Sequence, residues 1–132
     1  MGHRGVPGRR GRSLAWLAAI AGVIFLGIGA WAFADPRSFF ERIATFPPYN
    51  EHFLHDIGSF VIGLGAVLLI SAFVRDSLVT AFGGVGIGQA GHAAAHAIDR
   101  DLGASPGDPW IGGVAALALL GAAAWRLATL ER

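Results

Sequence analysis

Four runs of the chain contain no Asp, Glu or Arg: Leu14 to Ala34, Ile57 to Val74, Ser77 to Ile98 and Pro109 to Trp125, of 21, 18, 22 and 17 residues. A helix needs roughly 17–25 mostly apolar residues to cross the hydrocarbon core of a bilayer. The pattern therefore predicts four transmembrane helices, over residues 14–34, 52–74, 77–99 and 109–128. The polar segment after the first run has a helix of its own in prospect. Asp35 followed by Pro36 is a helix-start signal, and Phe39, Phe40, Ile43 and Phe46 fall on one face of a short helix lying along the outer membrane surface. Pro47 and Pro48 end it, and Asn50 is placed to cap the next helix. The expected fold class is all-α, a polytopic membrane four-helix bundle over residues 14–130 behind a disordered, basic cytoplasmic tail over residues 1–13.

Composition agrees with the pattern. Hydrophobic residues make up 54% of the chain and charged residues 14%, and the mean hydropathy is +0.55, which is too apolar for an ordinary soluble domain. The absence of cysteine excludes disulfides, iron–sulfur clusters and thiolate metal sites. All ten basic residues are arginine, and their distribution predicts orientation. Arg4, Arg9, Arg10, Arg12, Arg75, Arg126 and Arg132 fall on one side of a four-crossing chain and Arg37, Arg42 and Arg100 on the other. Since cytoplasmic loops carry the excess of basic residues, both termini are expected in the cytoplasm. Trp16 and Trp31 bracket the first run and Trp110 and Trp125 the fourth. At about 22 Å along a helix, each pair suits the two membrane interfaces, so these two helices are expected to face lipid. A second reading of the N-terminus is a signal peptide cleaved after Ala34, because basic residues, an apolar run and a small-residue site stand in that order.

The polar residues that do not fit a plain membrane span are clustered. Four of the five histidines lie in NEHFLHD, residues 50–56, and HAAAHAIDRD, residues 92–101. If the second and third helices form a tight hairpin centred on Arg75 and Asp76, residues equally far from the turn lie level. That rule sets His52 against Asp99, His55 against His96, Ser59 against His92, and Gly63 against Gly88. On each helix the polar set also falls within about 60–100° of arc, and Gly84 and Gly88 continue the stripe, where small residues allow close backbone approach. Imidazoles and carboxylates at i,i+3 and i,i+4 spacing on neighbouring helices are the donor set of a Zn, Fe or Mn site in a bundle. The candidate metal-binding residues are His52, His55, Asp56, His92, His96 and Asp99. Redox or hydrolytic chemistry is the activity such a transition-metal site would support. The alternatives are a structural hydrogen-bond network in a non-catalytic membrane subunit or scaffold, a haem site, or a proton-responsive cluster. The glycine-rich GGVGIG at residues 83–88 has no following Lys and sits inside an apolar run, so it is read as packing.

FPPYNEHFLHDIG, an apolar helix and then GHAAAHAIDRD resemble a group of small four-helix bacterial membrane proteins of uncharacterised function, loosely DoxX-like in size and topology. The resemblance covers residues 14–130, and its specific part is Tyr49, Asn50, His52, Asp56 and Gly58 together with His92, His96 and Asp99. It implies a multi-pass protein of the bacterial inner membrane. The expected partners are the lipid bilayer and either a second copy of the chain or another membrane subunit, with no nucleic acid.

Overall fold

A computed structural model describes residues 9–74, 77–103 and 105–130. The turn at Arg75 and Asp76, Arg4 with most of the expected tail, and Arg132 lie outside these residues. Among the described residues the chain is helical without strands: α1 (Arg9–Ala34), α2 (Pro36–Arg42), α3 (Glu51–Ser71), α4 (Leu78–Ile98) and α5 (Asp108–Leu130), with a 3-10 turn at Arg100–Leu102. α1 starts at Arg9 rather than at Leu14, so the last residues of the expected disordered tail are helical.

Three helices among the described residues, not four, are long and apolar enough to cross a membrane: Arg12–Ala34, Glu51–Ser71 and Asp108–Leu130. This corrects the expected four-helix transmembrane bundle. α4 is as long as α3, 21 residues, but Gly83, Gly84, Gly86, Gly88, Gly91, Gln89, His92 and His96 take places that Leu, Ile and Phe occupy in the other helices. An uncharged run is not the same thing as an apolar one. With three candidate spans, the return of both termini to one side no longer follows, and that part of the expected topology falls with the count.

Helix pairing departs from expectation as well. α1 lies along α3, and α4 along α5, whereas α3 and α4 meet only briefly. Glycines decide this. A Cβ on Gly29 would sit 2.7 Å from the Gly58 carbonyl oxygen, and one on Gly65 would sit 2.9 Å from the Gly22 carbonyl oxygen. The α1 and α3 backbones are therefore in direct contact at two levels. In the second pair, Gly86 receives the Leu120 side chain and Gly112 receives Ala93. Gly63, Gly84 and Gly88, expected to weld α3 to α4, stand in open space, and a Cβ at any of them would meet nothing within 4 Å. Because lipid tails are as apolar as Leu, helices in a membrane are held by close packing rather than by the hydrophobic effect, so the pair that brings backbones together prevails.

Both pairs share one core. Ala18, Leu68, Leu78, Ala81, Phe82, Val85, Leu119, Ala122 and Ala123 are buried together, with Phe82 and Leu68 fully enclosed. This cluster joins the N-terminal half of α1, the end of α3, the start of α4 and the C-terminal half of α5. At the opposite end of the first pair, Ala32, Phe39 and Leu54 form a second cluster with Trp31, Phe40, Ala44 and Tyr49 against it. The short helix α2 starts where Asp35-Pro36 predicts it but ends at Arg42, so Ile43 and Phe46 lie beyond it, and Phe46 meets His96 instead of sharing an apolar face with Phe39 and Phe40. Asp35 accepts the Ser38 N–H at 3.2 Å, Pro36 opens the helix, and Phe39 turns inward. Asn50 caps α3 by accepting the Phe53 N–H at 3.0 Å. Trp31 differs from the other tryptophans: its indole N–H donates to Ser38 Oγ at 3.3 Å and its ring meets Phe39 edge-on, while Trp16, Trp110 and Trp125 are exposed. Three of the four indoles thus face outward, and Trp31 ties α1 to α2.

Candidate functional site

The histidine and carboxylate side chains do not converge on one centre. His52 Nε2 lies 3.6 Å from Asp56 Oδ2, one turn along its own helix, and both side chains are largely exposed. His55 packs its ring on Phe33 of α1, with centroids 5.1 Å apart. The Ser59 hydroxyl donates back to the His55 carbonyl at 2.9 Å, which satisfies it within its own helix. On α4, His92 and His96 contact each other with centroids 4.5 Å apart. His96 Nδ1 lies 3.5 Å from Asp108 Oδ2 at the start of α5. Asp99 is the C-cap residue of α4 and forms no ion pair with either imidazole among the described residues.

The level partners expected from a hairpin are therefore not made. His52 answers Asp56 rather than Asp99, His55 answers Phe33 rather than His96, and His92 answers His96 rather than Ser59. No group of three or more His, Asp or Glu side chains able to hold a metal ion exists among the described residues. This corrects the expected transition-metal site at His52, His55, Asp56, His92, His96 and Asp99, and the redox or hydrolytic function drawn from it. The physical reason is the pairing: the two sets sit on helices that belong to different pairs and hold a separate partner each.

What remains is a smaller polar knot where α4, α5 and the loop after α2 meet. The His96 side chain is 14% exposed and Asp108 is 27% exposed. Phe46, from the loop, lies edge-on to the His96 ring at 5.2 Å. The Asp108 carboxylate also accepts the Ser105 N–H at 2.8 Å, which closes the turn into α5. His96 Nδ1 is buried and forms no hydrogen bond, since 3.5 Å to Asp108 is too long for a good one. Next to it, the Thr45 hydroxyl donates to the Gly103 carbonyl at 3.2 Å. Gly103 has φ +122 and stands so close to Thr45 that a Cβ would be 2.9 Å from its carbonyl oxygen, so only glycine suits the position. His92 remains exposed as a residue, yet partial burial of its ring, and then the neighbouring His96, holds its imidazole below the usual range, with Asp108 acting in the opposite direction.

Asp108 lies outside the expected set of site residues. Its signal in the sequence is the Asp-Pro dipeptide at the start of an apolar run, the same helix-start signature as Asp35-Pro36. At the α2 end of the first pair a second, open network links Arg37 to Glu41 at 3.2 Å, sets the Arg37 guanidinium over the Tyr49 ring at 4.7 Å, and joins the Tyr49 hydroxyl to Glu51 at 3.4 Å. Comparison with protein-family models, curated proteins and solved structures finds no match for this chain.

Proposed function

We propose that this chain is a multi-pass protein of the bacterial inner membrane that works as a subunit of a larger helical assembly, docking through the uncovered face of α4 against a second copy of itself. The observation that carries the reading is a difference in what the long helices leave uncovered. α1 exposes Trp16, Ile20, Val23, Ile24, Ile28 and Phe33, and α3 and α5 expose similar runs of Ile, Phe, Leu, Val and Trp. Such surfaces suit lipid tails. On α4 only Ile87 and Ile98 among the large apolar residues are exposed.

Gly84, Gly88, Gly91 and Ala95 fall within roughly 60° of one another around α4, and all four are exposed. A Cβ on any of the three glycines would meet nothing within 4 Å. Small residues at this spacing let two helices approach closely. The exposed glycines cost helix stability of about 0.8–1.0 kcal/mol each relative to Ala. The stripe carries no charge, so a two-fold axis can set it against its own copy without repulsion, and such self-complementary contacts are the commonest way that identical chains associate.

The reading is tested by replacing Gly84 and Gly88 together with Leu and measuring the oligomeric mass of the protein in nanodiscs or mild detergent. The wild-type chain is expected as a dimer or higher oligomer, and the Gly84→Leu, Gly88→Leu protein as a monomer that keeps its helical content. A monomeric wild type, or a double variant that still associates, overturns it.

A further inference from the structure

We propose that His92, His96 and Asp108 form a pH-sensitive clasp, which holds the last turns of α4 on the start of α5 while at most one imidazole carries a proton and opens when both do. The geometry supplies each part. His96 Nδ1 faces the Asp108 carboxylate at 3.5 Å, so one imidazolium in this cluster has an anion beside it. The ring centre of His92 is 4.5 Å from that of His96, so a second imidazolium would stand against the first. Two like charges at this separation in a partly buried site repel strongly.

The charged groups around the clasp are few. From α4 it receives His92, and Asp99 follows one turn beyond His96; from α5 it receives Asp108; from the loop after α2 it receives the Phe46 ring, which carries no charge. No charged side chain of α1 or α3 forms an ion pair with it among the described residues. A single carboxylate in contact balances one imidazolium and leaves a second uncompensated.

The sign follows from His92, whose folded state favours the neutral ring. A base held below its unfolded value contributes stability that is present above that value, about 6.5, and is lost as the pH falls through the lower, folded one. Opening has a defined structural consequence. His96 is also the ring on which Phe46 rests, and the neighbouring Thr45–Gly103 hydrogen bond crosses the same junction. Releasing the end of α4 therefore loosens the tie between the two helix pairs at this end, while the shared core around Phe82 and Leu68 holds them at the other.

The test uses the full-length chain in nanodiscs between about pH 8 and about pH 5, where carboxylates with ordinary values near 4 stay ionised. Thermal midpoints are measured for wild type, His92→Gln and His52→Gln, and the imidazole signals of the wild type are followed by NMR. The wild-type midpoint is expected to fall as the pH drops below about 6.5. His92→Gln should lose most of that fall and His52→Gln should keep it. The His92 imidazole should take up its proton below the ordinary value of about 6.5. A flat wild-type profile, an undiminished fall in His92→Gln, or a His92 imidazole that titrates at or above the ordinary value overturns the proposal. If His92→Gln does not fold, the wild-type NMR titration alone decides.

Discussion

The two helix pairs solve the same packing problem in different ways. In α1–α3 the glycines meet backbone: Gly22 and Gly29 on one helix, seven residues apart, face Gly65 and Gly58 on the other, also seven apart. In α4–α5 the glycines meet side-chain atoms first and backbone slightly farther off: a Cβ on Gly86 would stand 2.9 Å from Leu120 Cγ and Cδ2 and 3.2 Å from the Leu120 nitrogen, and one on Gly112 would stand 3.1 Å from Ala93 Cβ and 3.3 Å from its Cα. The first arrangement is rigid, because a carbonyl oxygen in a helix cannot move without moving the helix. The second is more adjustable at Gly86, where the Leu120 side chain has other rotamers, than at Gly112, where Ala93 has none. The rigid pair turns large apolar residues to its surroundings and ends in an aromatic cluster. The adjustable pair ends in imidazoles and a carboxylate, and α4 shows the outside a small-residue face. Adjustable packing and unusual chemistry occur in the same half of the molecule.

The largest effect should come from the rigid contact. A Cβ at position 58 would stand 2.8 Å from both the Gly29 carbonyl oxygen and the Phe33 nitrogen, so Gly58→Ala must push the helices apart. An overpacking cost of about 1–3 kcal/mol is expected, read as a lowered midpoint in thermal unfolding. A Gly58→Ala protein as stable as wild type would remove the distinction between the pairs.

A smaller effect separates the helix starts. Asn50 caps α3 through its side chain, whereas the Ser77 hydroxyl before α4 donates to the Val74 carbonyl at 2.6 Å and caps no N–H. Asn50→Ala should cost about 1 kcal/mol, and Ser77→Ala should cost less in the same unfolding measurement. Equal losses would show that α4 starts with the same local support as α3.

Smallest of all should be Gly86→Ala. Its Cβ would press on Leu120 Cδ2 and Cγ at 2.9 Å, side-chain atoms that can turn away, and would stand 3.2 Å from the Leu120 nitrogen, which must give by a few tenths of an ångström. The strain is offset by a gain in helix propensity of about 0.8–1.0 kcal/mol. A midpoint within a degree or so of wild type, on the order of a few tenths of a kcal/mol, is the expected outcome; a drop comparable to that of Gly58→Ala would make the second pair as rigid as the first.

Much of the fold is legible in the sequence. Uncharged run length predicts the long helices, Asp35-Pro36 predicts α2, and Asn50 announces the start of α3. The number of candidate spans is not legible from charge alone, because length without charge does not measure apolarity, and α4 is the helix where the two differ. Pairing is obscured by the short connection at residues 75 and 76, which suggests that α3 and α4 are neighbours. The matching seven-residue glycine spacings in α1 and α3 carry the opposite information, and they emerge only when two helices separated by α2 are compared. The site depends on the pairing. Each polar side chain stands out in the sequence, but its partner is set by which helices touch, and Asp108 joins His96 only because α5 lies beside α4.

The pairing also has a consequence for how the chain is made. Each pair is drawn from one continuous stretch, residues 9–71 for the first and 78–130 for the second. Neither pair needs a residue of the other stretch to close. Closing each pair spans only a modest length of chain, and loop-closure entropy grows slowly with that length. The shared core around Phe82 draws on both stretches, so it closes only where the two pairs meet.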